Sequence, residues 1–432
     1  MRTRSWLAGT AAVALLATAC GGGGDDTASA DGGAEGGAEN ASGDAGPQTL
    51  SVWIMEPGND EVERIVRDSA EQFEAENEGV TVELEFVPWA SAHDQFVTAV
   101  GGGQVPDVAE MGTTWTAEFA QLGLAPVEAD ADADYVASLV EAGTVEGTSY
   151  GYPWYAGARA LIYRADVFEE HGLEVPETWD ELLDVAETIE AETDLAPIHV
   201  AGNYNHMLLP MVWQAGGEIA TQEGEAWNAT LDSQEGREAF GFYADLWERG
   251  WTPEGAVSWN SADVRTAFAN EESAMMVGGG WDLGALLADN PELEGRVGTA
   301  LLPEGPGGSR DTFAGGSHLV VFEEAENPDL AVQFVEFMLQ DEQVSAFAEA
   351  VGFLPGTESG VAASSAATDP LYEPFTTQLV EHSRSYPASP NWGTVEGDAV
   401  FVNAMQQVMT GDLTVDEAVE QANQQLDDTL NR

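Results

Sequence analysis

The strand-like run Thr49-Leu50-Ser51-Val52-Trp53-Ile54, a break at Pro57-Gly58-Asn59, and the alternating run Val80-Thr81-Val82-Glu83-Leu84-Glu85-Phe86 fix the fold class. Between the two runs Val62, Ile65, Val66, Ala70 and Phe73 recur with helical spacing, and Gly79 closes that segment. The second run has the alternation of a half-buried strand. A second helical stretch over Ala92 to Val100 and a further strand, Pro106-Asp107-Val108-Ala109-Glu110-Met111, extend the order to β-α-β-α-β. That order predicts an open α/β sheet with ligands at the carboxyl ends of its strands. Those ends place Glu56 to Asn59, and Gly112 to Trp115, at the rim of a crevice.

Further along, Thr178-Trp179-Asp180-Glu181 and Thr414-Val415-Asp416-Glu417 have the form of capping boxes. Asn327-Pro328 opens an amphipathic run through Phe334, Val335 and Met338. No fixed-period repeat is present, which sets solenoids and propellers aside.

In the other direction lies an export signal. Met1 to Ser5 is basic through Arg2 and Arg4, and Trp6 to Ala17 is apolar but too short to span a bilayer. Residues 1–19 read as a signal peptide. Cys20 is the only cysteine in the chain and stands just after Leu16-Ala17-Thr18-Ala19. It is read as a lipidated mature N-terminus, although Ala17-Thr18-Ala19 also fits an ordinary cleavage site. Gly21 to Pro47 holds no large apolar residue, so residues 20–47 are read as lipidated cysteine plus flexible acidic linker, with an r.m.s. reach of roughly 30 Å.

The 432 residues include 77 Asp plus Glu against 13 basic residues, for a net charge of −64. All the basic residues are Arg. The absence of lysine excludes P-loop, kinase, Schiff-base and Ser-x-x-Lys chemistry. So acidic a chain is a poor ligand for nucleic acid, and no nucleic-acid partner is expected. Zero lysines and excess carboxylate are the pattern expected of a protein from a salt-loving organism, because ~1 M salt shortens the Debye length to ~3 Å. Hydrophobic residues at 44%, with 13 Trp and 16 Phe, are enough for large cores.

Catalytic motifs are weak. Gly147-Thr148-Ser149-Tyr150-Gly151 matches a nucleophile elbow, but Val145-Glu146-Gly147 reads as a hairpin turn and Pro153 follows closely. The six histidines lack metal-ligand spacing, so neither a metal nor another cofactor is expected. The informative feature is that Trp53, Trp115, Trp154, Tyr155, Trp281 and Trp392 fall in or beside Gly/Pro-rich breaks. An indole face stacks on a sugar ring, and loops carry sites. Trp281 and Trp154 are read as pocket residues, while Trp53, Trp115 and Trp392 fit either pocket or core.

Several short runs, taken in order, resemble extracellular solute-binding proteins of bacterial ATP-binding-cassette sugar importers (solute-binding family 1). They are Gly103 to Val108 leading into Gly112 to Phe119; Tyr150 to Pro153 leading into Ala160 to Phe168; Pro176 to Leu182; Ala274-Met275-Met276 with Gly280-Trp281; Gly315-Gly316-Ser317; and Gly352-Phe353-Leu354-Pro355. The details are most similar to the branch that includes chitobiose-binding proteins. The resemblance implies a two-lobed periplasmic-binding-protein-like α/β fold with a ligand cleft between the lobes. It puts residues 48–157 and 313–355 in one lobe, and 158–312 and 356–432 in the other. It also implies that Glu56 and Trp281, with Asp282 adjacent, contact ligand, whereas Gly112 stands where some relatives have Asp.

The expected function is therefore a non-catalytic, lipid-anchored receptor on the outer face of the cell membrane. It would act as a monomer and hand a neutral oligosaccharide to permease subunits with their ATPase. Arg159 and His318 join Glu56 and Asp282 as candidate hydroxyl partners; Arg159, alternating with Leu161 and Tyr163, fits an ion-pair role equally. An exported glycoside hydrolase, or a receptor for an amino acid, peptide or polyol, is the alternative. Loss of Arg2 and Arg4 with the leader leaves 11 Arg against 77 acids, or −66. Melting temperature should therefore climb between about 0.1 M and about 2 M NaCl as self-repulsion is screened. A flat curve would make the acidic surface incidental to stability.

Overall fold

A computed structural model describes residues 47–57, 60–127, 133–224 and 226–432. The leader, Cys20 and almost all of the linker lie outside the described residues.

The sequence-predicted strands form one side of a six-stranded sheet. Gln48–Met55 pairs in parallel with Val80–Val87 on one edge and with Val108–Gly112 on the other. Leu50, Val52 and Ile54 point to one face and are fully buried with Val62, Val66 and Phe73 of the helix Asp60–Glu76. That helix opens with Asp60, Glu61 and Glu63, which suit the positive end of its dipole. The helix Pro328–Met338 covers the same face, with Phe334 edge-on to Phe73 at 5.1 Å. The opposite face packs Met55, Met111, Phe119 and Phe322 around Phe96 of the helix Trp89–Gly102.

Three more strands complete the sheet from distant sequence. Gly315–Val321 runs antiparallel between Val108–Gly112 and Tyr152–Gly157, and Leu354–Pro355 closes the edge beside Tyr152–Gly157. The second sheet orders Val297–Ala300, Arg159–Arg164, Ser273–Gly279 and Ala196–Ile198. Its core includes Leu161, Trp179, Phe240, Tyr243, Phe268 and Phe401. Only Ala158 separates Tyr152–Gly157 in the first sheet from Arg159–Arg164 in the second. The chain passes back from Val297–Ala300 through Thr312–Phe313, paired with Ser383–Arg384, to Gly315–Val321. The result is the two-lobed fold that the resemblance implied.

Local signals behave as their chemistry requires. Thr414 and Glu417 form a reciprocal capping box; Thr178 caps Glu181 N, but the Glu181 carboxylate accepts from Glu177 N instead. Thr144–Val145 and Thr148–Ser149 pair as a hairpin, with Glu146 and Gly147 both at positive φ as a type I′ turn demands. Ser149 is thus a hairpin residue, not the apex of a strand-to-helix elbow.

Candidate functional site

The carboxyl ends of the first sheet's strands do open onto a cleft, of about 500 Å³. Met55, Glu56 and Pro57 line it from the first strand, Trp89 from just beyond the second, and Glu110 from the third. Trp281, Gly284 and Ala285, at the start of the helix Gly280–Asp289, face them together with Tyr372. Glu56 is exposed at the mouth.

Trp281 is half-buried. Its ring stacks on Phe353 at 4.6 Å and 11°, and the Arg159 guanidinium carbon lies 5.2 Å from its centroid. A Cβ on Gly157 or Gly279 would come within 2.4 or 2.3 Å of the indole, so both positions must be glycine for the ring to lie there. Trp89 stands on the other wall, 42% exposed and 5.7 Å from the half-buried Trp115. Sequence reasoning missed Trp89, although its position after Val87-Pro88, where a strand ends at the carboxyl edge, was the available signal.

The floor of the cleft is a buried carboxylate that was also missed. Glu110 accepts hydrogen bonds from the Tyr155 hydroxyl, from Ser317 Oγ (2.7 Å) and from Met55 N (2.9 Å). Burial pushes its carboxyl up to about 7, although these three donors pull the other way. Tyr155 therefore lines the cleft with its hydroxyl already committed to Glu110.

Other sequence candidates sit elsewhere. Trp154 is fully buried and stacked on Phe347 at 4.3 Å, because Tyr152–Gly157 is an interior strand covered by the helix Asp341–Val351 rather than a loop. His318 is fully buried between Thr116 Oγ1 (2.8 Å) and the Leu139 carbonyl (3.0 Å). Its ring packs where Gly143 and Gly151 leave space, and burial pushes it down to about 4. It is neutral, with Nε2 donating and Nδ1 accepting, and cannot serve a ligand. Asp282 is buried as the cap of its own helix, accepting from Gly279 N (3.0 Å) and lying 3.6 Å from Arg265. Trp392 is buried against Tyr386 and Phe401. Its Nε1 donates to Glu396, which also accepts from Thr114 Oγ1 at 3.3 Å, so Glu396 ties this segment to the loop after Val108–Gly112. Arg159 is buried and, among the described residues, makes no ion pair. Of the candidates, the structure brings together Glu56, Trp281 and Tyr155 at the cleft, with Trp115 beside Trp89 and Arg159 behind Trp281.

A two-walled, aromatic-lined cleft at the strand ends is also where known relatives can be compared. The sequence model for bacterial extracellular solute-binding proteins matches residues 59–345. The chain belongs to that family. It is 28% identical over 403 residues to the diacetylchitobiose-binding protein DasA of Streptomyces coelicolor, covering 90% of this chain and 89% of that one. An arabinooligosaccharide-binding protein of Halalkalibacterium halodurans is 26% identical over 59% of each chain. Among solved structures, the sugar-binding protein MalE of Xanthomonas citri superposes with a TM-score of 0.78 at 28% identity, covering 88% of this chain and 97% of that one. A solute-binding protein of Thermotoga lettingae bound with α-D-tagatose gives 0.75 at 26% identity, covering 89% and 100%.

Glu110 supplies a pH test. Its pKa is raised above the value of about 4.5 that it has when unburied, so between about 4.5 and about 7 the native protein holds more protons than the unfolded chain. Its contribution to stability is therefore complete below this window and is lost as pH climbs through about 7. In Glu110→Gln the fall of unfolding free energy with pH should be shallower by up to ~1.4 kcal/mol per pH unit within the window. Urea titrations of both proteins at several pH values measure it; parallel slopes would show that Glu110 is already ionised at the low end.

Proposed function

We propose that this protein captures a neutral oligomeric sugar outside the cell and delivers it to the permease of an ATP-binding-cassette importer.

 The observation that carries this reading is the cleft itself, with indole rings on both walls, Trp89 and Trp281, and the exposed carboxylate of Glu56 at its mouth. Flat aromatic faces and hydrogen-bonding groups at a domain junction suit a sugar, which presents C–H faces and hydroxyls together. The printed ligands of the relatives support the same class: diacetylchitobiose, arabinooligosaccharide and tagatose. Neutrality follows from the field of −66 charges, which repels an approaching anion.

In this reading residues 48–157 with 313–355 form one lobe and 158–312 with 356–432 the other, and ligand closes them by rotation about the crossings. The protein acts without catalysis, as a monomer tethered through lipidated Cys20. The relatives named above are binding proteins, which supports the non-catalytic assignment.

A thermal-shift screen across sugars, amino acids and polyols tests the class, since ligand at 100 times its Kd stabilises by about 2.7 kcal/mol. Trp281→Ala should weaken the sugar that scores by roughly thirtyfold, or ~2 kcal/mol, and should also lower the melting temperature because the ring packs on Phe353. Trp89→Ala should weaken it by roughly tenfold with an unchanged melting temperature, because Trp89 is largely exposed. Calorimetry showing parent-like affinity in both variants would remove the aromatic walls from the site.

The anchor has its own test. Cys20→Ser should move the protein from the membrane fraction to the medium, or leave it uncleaved, because each lipid CH₂ contributes ~0.8 kcal/mol of insertion. A variant that still fractionates as mature membrane lipoprotein would overturn the assignment.

A further inference from the structure

The short helix Trp392–Gly397 is rooted in the core of the second sheet, where Trp392 and Val395 are buried. Its other face meets elements of the first sheet. Thr114 Oγ1 donates to Glu396 Oε2 at 3.3 Å, Trp392 Nε1 donates to Oε1 at 3.2 Å, and the Trp115 side chain donates to the same carboxylate. Beside it the Glu118 carboxylate, bonded to His93 at 2.9 Å, lies against Gly393, where a Cβ would come within 2.1 Å of Oε2. The fit is close. Between Thr113, Thr114 and Ala117 on one side and Tyr386 and Trp392 on the other, the void that remains is about 10 Å³, barely the room of one water.

Two features set this contact apart from ordinary packing. Glu396 is a carboxylate placed where two cores meet, and two of its three donors come from the opposite side. A buried acid costs free energy unless its donors are in place, so the arrangement is complete only when the two sides touch. Burial raises the Glu396 pKa even so, although the three donors and His93 pull it down. His93 offsets the like charge gathered here: the hydrogen bond to Glu118 raises its pKa against the effect of burial, helped by the charges of Glu118, Asp94 and Glu396. The second feature is what the two donors carry. They sit on the loop that holds Trp115, whose ring lies 5.7 Å from Trp89 on the cleft wall and 5.5 Å, edge-on, from His93. With the contact made, the cleft still keeps about 500 Å³.

Resting on the sugar-binding reading, in which two lobes close over the ligand, we propose that Glu396 is a positioning residue, a latch on one lobe that takes two donors from the other and so holds the cleft closed with Trp115 fixed behind Trp89. Trp392 keeps the carboxylate oriented from its own side when the lobes part. Because the cleft stays roomy while the latch is made, latch and ligand favour the same closed form, and each strengthens the other. The effect falls on release, since a ligand enters the open form, in which the latch is unmade.

The first test needs no ligand. In the mature chain with Cys20→Ser, nitroxides on Glu85→Cys and Asp184→Cys label exposed positions of the two lobes. Pulsed electron resonance should show the closed population falling in Glu396→Ala and in the wedge Gly393→Val. Glu396→Gln should lie between these and the parent, because an amide keeps one acceptor oxygen. Identical distance distributions in the parent and both folded variants overturn the proposal, whatever the ligand is. The second test is stopped-flow tryptophan fluorescence with maltotriose, cellotriose and chitotriose as probes. For any probe that binds, release should be about tenfold faster in Glu396→Ala, the least expected from losing a hydrogen bond to a charged group. Capture should change by less than about twofold. Unchanged release, or a loss that falls on capture alone, overturns the latch while leaving sugar binding intact. Should Glu396→Ala not fold, Gly393→Val and Glu396→Gln carry both comparisons, with melting temperature confirming that they are native. Failure of every sugar, here and in the thermal screen, overturns the sugar reading, and the label distances then judge the latch alone.

Discussion

The crossing at Gly157–Ala158 governs the rest of the structure. On one side of it Tyr152–Gly157 is hydrogen-bonded to strands on both flanks within the six-stranded sheet, and on the other Arg159–Arg164 is bonded on both flanks within the four-stranded sheet. With one residue between these commitments, the two sheets are held close together at this crossing. Gly157 also has no room for a side chain, since a Cβ would lie 2.4 Å from Trp281 and 3.0 Å from Phe353. The aromatic wall of the cleft, the buried guanidinium behind it and the crossing are therefore packed as one unit. Any change in the angle between the sheets is felt at Trp281.

Charge is handled in two ways. Most carboxylates remain at the surface, where water and salt screen them. The few that are buried are held by donors from several elements. Glu110 is the clearest case: its partners come from Gln48–Met55, Tyr152–Gly157 and Gly315–Val321, so a single carboxyl group stitches four strands together beneath the cleft. Burial nevertheless outweighs those hydrogen bonds and raises its pKa to about 7. Arg159 is the opposite case, a buried charge held between the rings of Tyr204 and Trp281, with one donor unpartnered among the described residues.

The parallel half of the first sheet was legible residue by residue. Leu50, Val52 and Ile54 alternate because one face is covered, and Val62, Val66, Ala70 and Phe73 return every three or four residues because one helical stripe meets that face. The place of Glu56 at the cleft mouth followed directly from the rule that the crevice of an α/β sheet opens at the carboxyl ends of its parallel strands. Trp154 shows where such reasoning stops. With Gly151 and Pro153 before it and Gly157 after it, the segment has the composition of a loop, yet it is an interior strand. Pro153 is tolerated because the pairing with Gly315–Val321 shifts register between Ser317 and His318, beside Pro153, where a missing N–H breaks no regular ladder. His318 was misplaced for the same reason, since its partners Thr116 and Leu139 approach from elements far away in sequence.

The sequence by itself determined the α/β order, the helix caps and the acidic surface, because each depends on neighbours within a few residues or on composition. It also carried the family through short motifs in a fixed order. Only the tertiary structure decided which aromatics reach the cleft and which disappear beneath it. Periodicity tells which face of a strand a side chain takes, but what covers that face comes from elsewhere in the chain. Phe347 reaches Trp154 and Phe353 reaches Trp281 from distant sequence, while among the described residues no acid pairs with Arg159. Burial and pairing are properties of the packed whole, and no local pattern encodes them.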